Sequence, residues 1–158
     1  MNDIFALDAT NAFIVGENNT FLLTTNGGTN WTSPSIGGAG LTVRGFGVRA
    51  VDANTVWIAG YSDGAPTVAK LYKLTKSGST WTSSLVYSSS GATFRGLFLT
   101  DSDNVWTVGS ATGGTSGLIH GQITPLNLTT FQQSDRPGQY RVPVGTTLDV
   151  LLQGDNIP

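Results

Sequence analysis

The chain has 158 residues, enough for one domain with its own core, and its eight Lys and Arg against ten Asp and Glu leave a formal charge of −2. Charged residues are only 11% of the whole and none cluster into a basic run, which excludes the phosphate-neutralising face that nucleic-acid binding requires. No apolar run approaches the roughly 20 residues of a membrane-spanning helix, and the absence of cysteine excludes disulfides, thiolate zinc sites and cysteine nucleophiles.

From the N-terminus, Met1 runs straight into an apolar segment with no basic region before it, so no signal peptide is expected in this sequence. Ile4 to Leu7 is a short apolar run, as in a strand buried on both faces. Asp8-Ala-Thr-Asn11 is turn chemistry, since Asp and Asn side chains bond the backbone two residues on. Ala12 to Val15 is a second strand, Gly16-Glu-Asn-Asn19 a second turn, and Thr20 to Thr25 a β-branched third strand. Asn26-Gly27 predicts a hairpin, because both residues accept positive φ, and Trp31 opens a fourth strand.

Further along, the same pattern returns. Ile4-Phe-Ala-Leu-Asp8 leads to Phe13-Ile-Val-Gly16, Val48-Arg-Ala-Val-Asp52 to Trp57-Ile-Ala-Gly60, and Leu97-Phe-Leu-Thr-Asp101 to Trp106-Thr-Val-Gly109. The aromatic always follows Asp by five residues and Gly by eight, and the copies start 44 and 49 residues apart. Such a period marks stacked supersecondary units, none of which can bury its face alone. With no helical periodicity anywhere, the expected class is all-β, built of β-propeller-type blades of four antiparallel strands. A sandwich does not explain the constant internal spacing, and solenoid coils are usually shorter. The blades are expected at about 3–35, 46–87 and 94–132, with 133–158 as a tail or the start of a further blade. Phe13, Trp57 and Trp106 are predicted to pack between sheets at equivalent positions.

In the tail, Thr147-Leu-Asp-Val-Leu-Leu152 reads as one more inner strand and Asp155-Asn156 as its turn. About three and a half blades do not close a ring. The chain is then part of a larger propeller, a protomer that closes with copies of itself, or a stack whose tail is a different element.

Thr24-Thr-Asn-Gly-Gly-Thr-Asn-Trp31 resembles the Asp-box of sialidase-type (BNR) repeats, with Asn26 in place of Asp and Asn30 in place of Thr. Leu74-Thr-Lys-Ser-Gly78-Ser-Thr80-Trp81 keeps Gly-x-Thr-Trp, and the third repeat has lost the box, with Phe131 at the place of Trp. The first repeat as a whole also resembles the blades of the photosystem II assembly-factor family. The match covers 3–31 well, 46–81 fairly and 94–131 in its first half. The resemblance implies a propeller in which the box is a structural hairpin without catalysis, and places Trp31 and Trp81 in outer-blade packing.

Candidate chemistry is sparse. His120 lies in the predicted strand Gly117 to Ile123 and is the single histidine, which rules out a multi-histidine metal site within one chain. Glu17, the single Glu, falls in a turn. Asp101-Ser-Asp103-Asn104 superficially looks like a calcium loop but lacks the Gly and Glu that such a loop needs, so it reads as a turn, and no metal is expected. Tyr140-Arg-Val-Pro143 is similar to the Tyr/Phe-Arg-Ile-Pro motif of sialidases, where Arg binds the substrate carboxylate. Here it follows the boxes rather than preceding them.

An Arg after an apolar or aromatic residue precedes each later inner strand: Val43-Arg44, Phe94-Arg95 and Tyr140-Arg141, spaced by 51 and 46 residues. Converging at one mouth of a propeller channel, Arg44, Arg95 and Arg141, with Tyr140, would form an anion site. The opposing reading pairs each Arg with a neighbouring Asp or leaves it in solvent.

The expected function is a non-catalytic binding or scaffold module recognising a protein or glycan, without a cofactor. Low charge with abundant Gly, Ser and Thr resembles extracellular and virion-surface β-proteins, and self-association or a larger parent assembly is expected. Part of a sialidase-like glycosidase and a structural virion or filament subunit are the alternatives.

Overall fold

The computed structural model describes residues 1–102 and 104–110, together with the backbone of Ala111 and of the strands at 116–122, 132–133, 140–141 and 152–153. Among these residues every regular element is a strand. The first sheet is an antiparallel meander of β1 (Asp3–Ala6), β2 (Ala12–Val15) and β3 (Phe21–Thr24). Next comes β4 (Ile36–Gly38), then β5 (Arg44–Asp52), β6 (Thr55–Ser62), β7 (Val68–Ser77) and β8 (Thr80–Ser90). These form a second sheet in the order β4-β8-β7-β6-β5. β9 (Ala92–Leu99), β10 (Asn104–Ala111) and β11 (Ser116–Gln122) begin the third, and a short pair is made by β12 (Gln132–Gln133) and β13 (Tyr140–Arg141). β14 (Leu152–Gln153) joins the third sheet beside β11.

Each repeat begins with the turn chemistry its Asp predicts. Asp8 Oδ1 accepts from Thr10 N at 2.7 Å and Asn11 N at 2.8 Å, while Oδ2 accepts from Asn11 Nδ2 at 2.8 Å. Asp52 Oδ1 accepts from Asn54 N, and Asp101 Oδ1 from Asn104 N. Asp101 therefore serves the β9–β10 turn. The bonds from Asn11 and Thr10 hold the Asp8 carboxyl well below the usual carboxylate range, because they favour its ionised form. In the unfolded chain the carboxyl takes up its proton near pH 4, so its contribution is complete above that range and declines as pH falls through it. The midpoint of urea unfolding should drop with acidification, and Asp8→Asn should flatten that slope. An unchanged slope in the variant would show that Asp8 is not its source.

The sheets pack face to face in succession. Phe13, Val15, Phe21 and Leu23 of the first meet Val48, Val56, Ile58, Tyr72, Leu74 and Trp81 of the second in one buried cluster. The opposite face of the second sheet, with Trp57, Ala59, Ala69 and Leu71, meets Phe94, Leu97 and Val105 of the third. The middle sheet is covered on both faces, which explains why Val56 to Tyr61 is an unbroken apolar run rather than an alternating one. Phe13 and Trp57 lie between sheets as predicted. Trp106 takes the same place in β10, but Val105 and Thr107 beside it point into the stack, so Trp106 faces outward and is only partly buried.

Among the described residues the four-stranded meander is complete in the middle sheet alone. In the first repeat a fourth strand is reduced to the single bridge between Leu23 and Thr32. The chain then leaves to pair in parallel with β8, with Ile36 opposite Trp81. Ser83 holds it there, donating from Oγ to Gly40 O at 2.9 Å and accepting at its carbonyl from Ala39 N at 3.0 Å. Of the run 147–152, which reads as one more inner strand, the described residue is Leu152; with Gln153 it pairs antiparallel with β11 at the edge of the third sheet. An open strand edge carries unpaired N–H and C=O groups that any extended segment can satisfy.

The Asp-box-like segment is a turn bound up in its own hydrogen bonds. Thr24 Oγ1 accepts from Gly28 N at 3.0 Å, and Asn26 Oδ1 accepts from Asn30 N at 2.9 Å. The left-handed residues are Gly27 and Gly28, at φ of 66° and 86°, one step beyond the predicted Asn26-Gly27 pair. The two box tryptophans differ. Trp81 is buried edge-on against Phe13 and Phe21, whereas Trp31 lies against Gly28 and is 37% exposed.

Candidate functional site

The repeat glycine determines the shape of one end of the stack. A Cβ on Gly60 would collide with the Arg44 carbonyl oxygen of the paired strand, and one on Gly109 with that of Thr93. Without them the inner strand lies close and bulges: Gly60 pairs with Gly45 and Ala59 with Gly47, so Phe46 is the extra residue. In the third sheet Gly109 pairs with Phe94 and Val108 with Gly96, which leaves Arg95 extra. Phe46 and Arg95 each stand six residues before their repeat Asp. In the first repeat that position is Asn2, whose Nδ2 donates to Glu17 Oε1 and to Gly45 O, both at 3.0 Å.

Arg44 stands eight residues before its Asp, opposite Tyr61, so it is not the counterpart of Arg95. Its Nε lies 2.6 Å from Glu17 Oε2 and 2.9 Å from Asp63 Oδ2. The Tyr61 hydroxyl, and after it Asp63 and Glu17, raise its pKa further, so the guanidinium is held charged and its charge is already matched. Arg44 and Asp63 border an open cleft of about 220 Å³, lined also by Asn18, Asn19, Thr42, Val43 and Ser62. Asn18 and Asn19 sit at positive φ in the β2–β3 turn, and Asn19 Oδ1 accepts from Val43 N at 2.7 Å, tying that turn to the start of β5.

Arg95 is different. Its side chain is exposed, and its guanidinium carbon lies 4.7 Å from the Phe46 ring centroid and 5.0 Å from that of Tyr61. Those rings are stacked, 5.3 Å apart and 8° from parallel. Among the described residues Arg95 has no ion pair, whereas Arg44 pairs with both Glu17 and Asp63 and Arg49 with Asp3. A guanidinium braced on aromatic faces loses little freedom on binding and keeps its N–H fork for a planar anion.

Of the residues expected at the anion site, Arg44 and Arg95 therefore share one end of the stack and both touch Tyr61, but in different roles. Tyr140 and Arg141 form β13, opposite Gln133 and Gln132; their side chains, and those of His120 and Phe131, lie outside the described residues, as does Asp103. Phe46 and Tyr61 were not anticipated. Phe46 was detectable, since it stands six residues before Asp52 just as Arg95 stands before Asp101. Among the described residues no three His, Asp or Glu gather as a metal site, and no helix is long and apolar enough to cross a membrane. Comparison with family models, curated proteins and solved structures finds no match to this chain.

Proposed function

We propose that the chain is a non-catalytic binding or scaffold module, built of β-propeller-type blades, that recognises a protein or glycan at the bulged end of its stacked sheets. The observation that carries this reading is Arg95, exposed on the stacked Phe46 and Tyr61 rings and without a carboxylate partner among the described residues. A carboxylate-bearing glycan or an acidic peptide fits that chemistry: the anion takes the fork, and the rings offer an apolar ledge beside it. The low charge and Gly-, Ser- and Thr-rich composition are in keeping with display outside a cell or on a virion.

The test is an array carrying carboxylate-bearing and neutral glycans beside acidic peptides. The wild-type chain should retain the acidic members, and less so as salt rises. Arg95→Ala should weaken that retention about 10- to 100-fold, the range of one charge-assisted hydrogen-bonding group. Arg95→Lys should recover only part of it, because a point charge does not reproduce the fork. Retention by Arg95→Ala equal to that of wild type would end this reading.

A second reading, a structural subunit of a virion or filament, is favoured by the apolar residues left in water at both ends of the stack, Ile4 on one side and Phe98 and Val108 on the other.

A further inference from the structure

The repeat makes the two outer faces comparable with faces already buried inside the chain. On the first sheet, Ile4 pairs with Ile14 and Ile14 with Leu22, a row of three apolar side chains facing away from the second sheet. Ile4 stands four residues before Asp8, as Val48 does before Asp52, and Ile14 stands six after Asp8, as Ile58 does after Asp52. Val48 and Ile58 are fully buried, because they receive the first sheet. Ile4 is 58% exposed.

On the third sheet the outward residues are counterparts of the opposite half of that joint. Val108 follows Asp101 by seven residues, as Val15 follows Asp8, and Val15 is buried against the second sheet. Phe98 precedes Asp101 by three, as Phe5 precedes Asp8, and Phe5 packs on the same cluster. In the middle sheet this position is Arg49, so the third sheet has an aromatic where its neighbour has a charge. Phe98 is 60% and Val108 48% exposed. One end of the stack thus carries the receiving half of a sheet-to-sheet joint and the other end the inserting half. The chain makes that joint twice internally.

We propose that a second copy of this chain completes the joint, the outward face of its third sheet docking on the outward face of the first sheet of its neighbour. The two patches differ, so the contact is head-to-tail. It closes into a ring if the rotation per copy allows and otherwise runs on as a filament. Exposed apolar faces of this kind mark association surfaces. Neither patch includes a charged residue at the positions named, so the contact is held by burial rather than by ion pairs.

Sedimentation velocity tests this. The wild-type chain should show a mass that rises with concentration from the low micromolar to the hundreds of micromolar. Ile4→Lys spoils the receiving face and Phe98→Lys the inserting face. Each variant alone should remain monomeric, since head-to-tail contact needs both faces. Mixed in equal amounts, the two variants should form a one-to-one dimer and nothing larger, because one intact face of each kind remains. Both side chains are more than half in water, so the fold should survive, as circular dichroism will check, and Val108→Lys repeats the second arm at an independent position. A wild-type chain that stays monomeric throughout, a single variant that associates like wild type, or a mixture that stays monomeric would each overturn the proposal.

Discussion

Trp57→Ala is expected to lower the free energy of unfolding by about 3 to 5 kcal/mol, the range for emptying a large aromatic site in a core. Trp57 is fully buried in β6 of the middle sheet, in the cluster that joins that sheet to the third. The sheets on either side are held by strand pairing within themselves, so the gap cannot close without moving a whole sheet. The Lys73 ammonium also lies 5.3 Å from the indole centroid and loses its aromatic partner. For a domain whose total stability is on the order of 5 to 15 kcal/mol, this loss leaves a substantial unfolded fraction in mild urea. The indole N–H meets no acceptor among the described residues, so Trp57→Phe discards an unpaired donor along with some volume and should cost much less than Trp57→Ala. Urea titration followed by circular dichroism measures both. Equal costs for the two variants would show that burial of the ring is not what Trp57 contributes.

Gly60→Ala should be comparably damaging, at about 3 kcal/mol, the upper part of the range for overpacking a tightly fitted site. The added methyl would occupy the place of the Arg44 carbonyl oxygen, a backbone atom that no side-chain rotation can remove. β5 must therefore shift, and its bulge at Phe46 with it. The loss should appear twice: as a lower unfolding midpoint, and as weaker retention of acidic ligands, because the ring beneath Arg95 moves. Gly78 is a control. It sits at φ of 60° with open space around its Cβ position, so Gly78→Ala meets only the left-handed backbone penalty of about 1 to 2 kcal/mol and leaves the binding end untouched. A Gly60→Ala protein as stable as wild type would mean that the inner strand is free to move away from β6, and that the bulge does not depend on this glycine.

Several features were legible in the sequence because their causes are local. Asp8, Asp52 and Asp101 bond backbone within three residues of themselves, so their turns are encoded where they stand. The strands of the first repeat follow from apolar runs bounded by those turns, and the aromatic five residues after each Asp places Phe13 and Trp57 at successive joints. That the chain is all-β was readable for the same reason.

The remainder depended on partners distant in the chain. Trp31 and Trp81 end similar motifs, yet only Trp81 has a neighbouring sheet to enter, because the first sheet lies against the face of the second from which Trp81 projects. β4 joined β8 rather than its own repeat since an open edge, with Ser83 to hold the crossing backbone, was available there. Arg44 and Arg95 look alike in sequence, each just before an inner strand. A single bulge residue separates their roles, directing Arg95 onto the Phe46 and Tyr61 rings while Arg44 stays in the ladder between Glu17 and Asp63. The sequence by itself determined the turns, the strand class and the repeat, since these rest on bonds between near neighbours and on side-chain alternation. Only the tertiary structure decided which edges paired, which aromatics were covered and which arginine was set on aromatic rings rather than between carboxylates, because those depend on what another sheet places within reach.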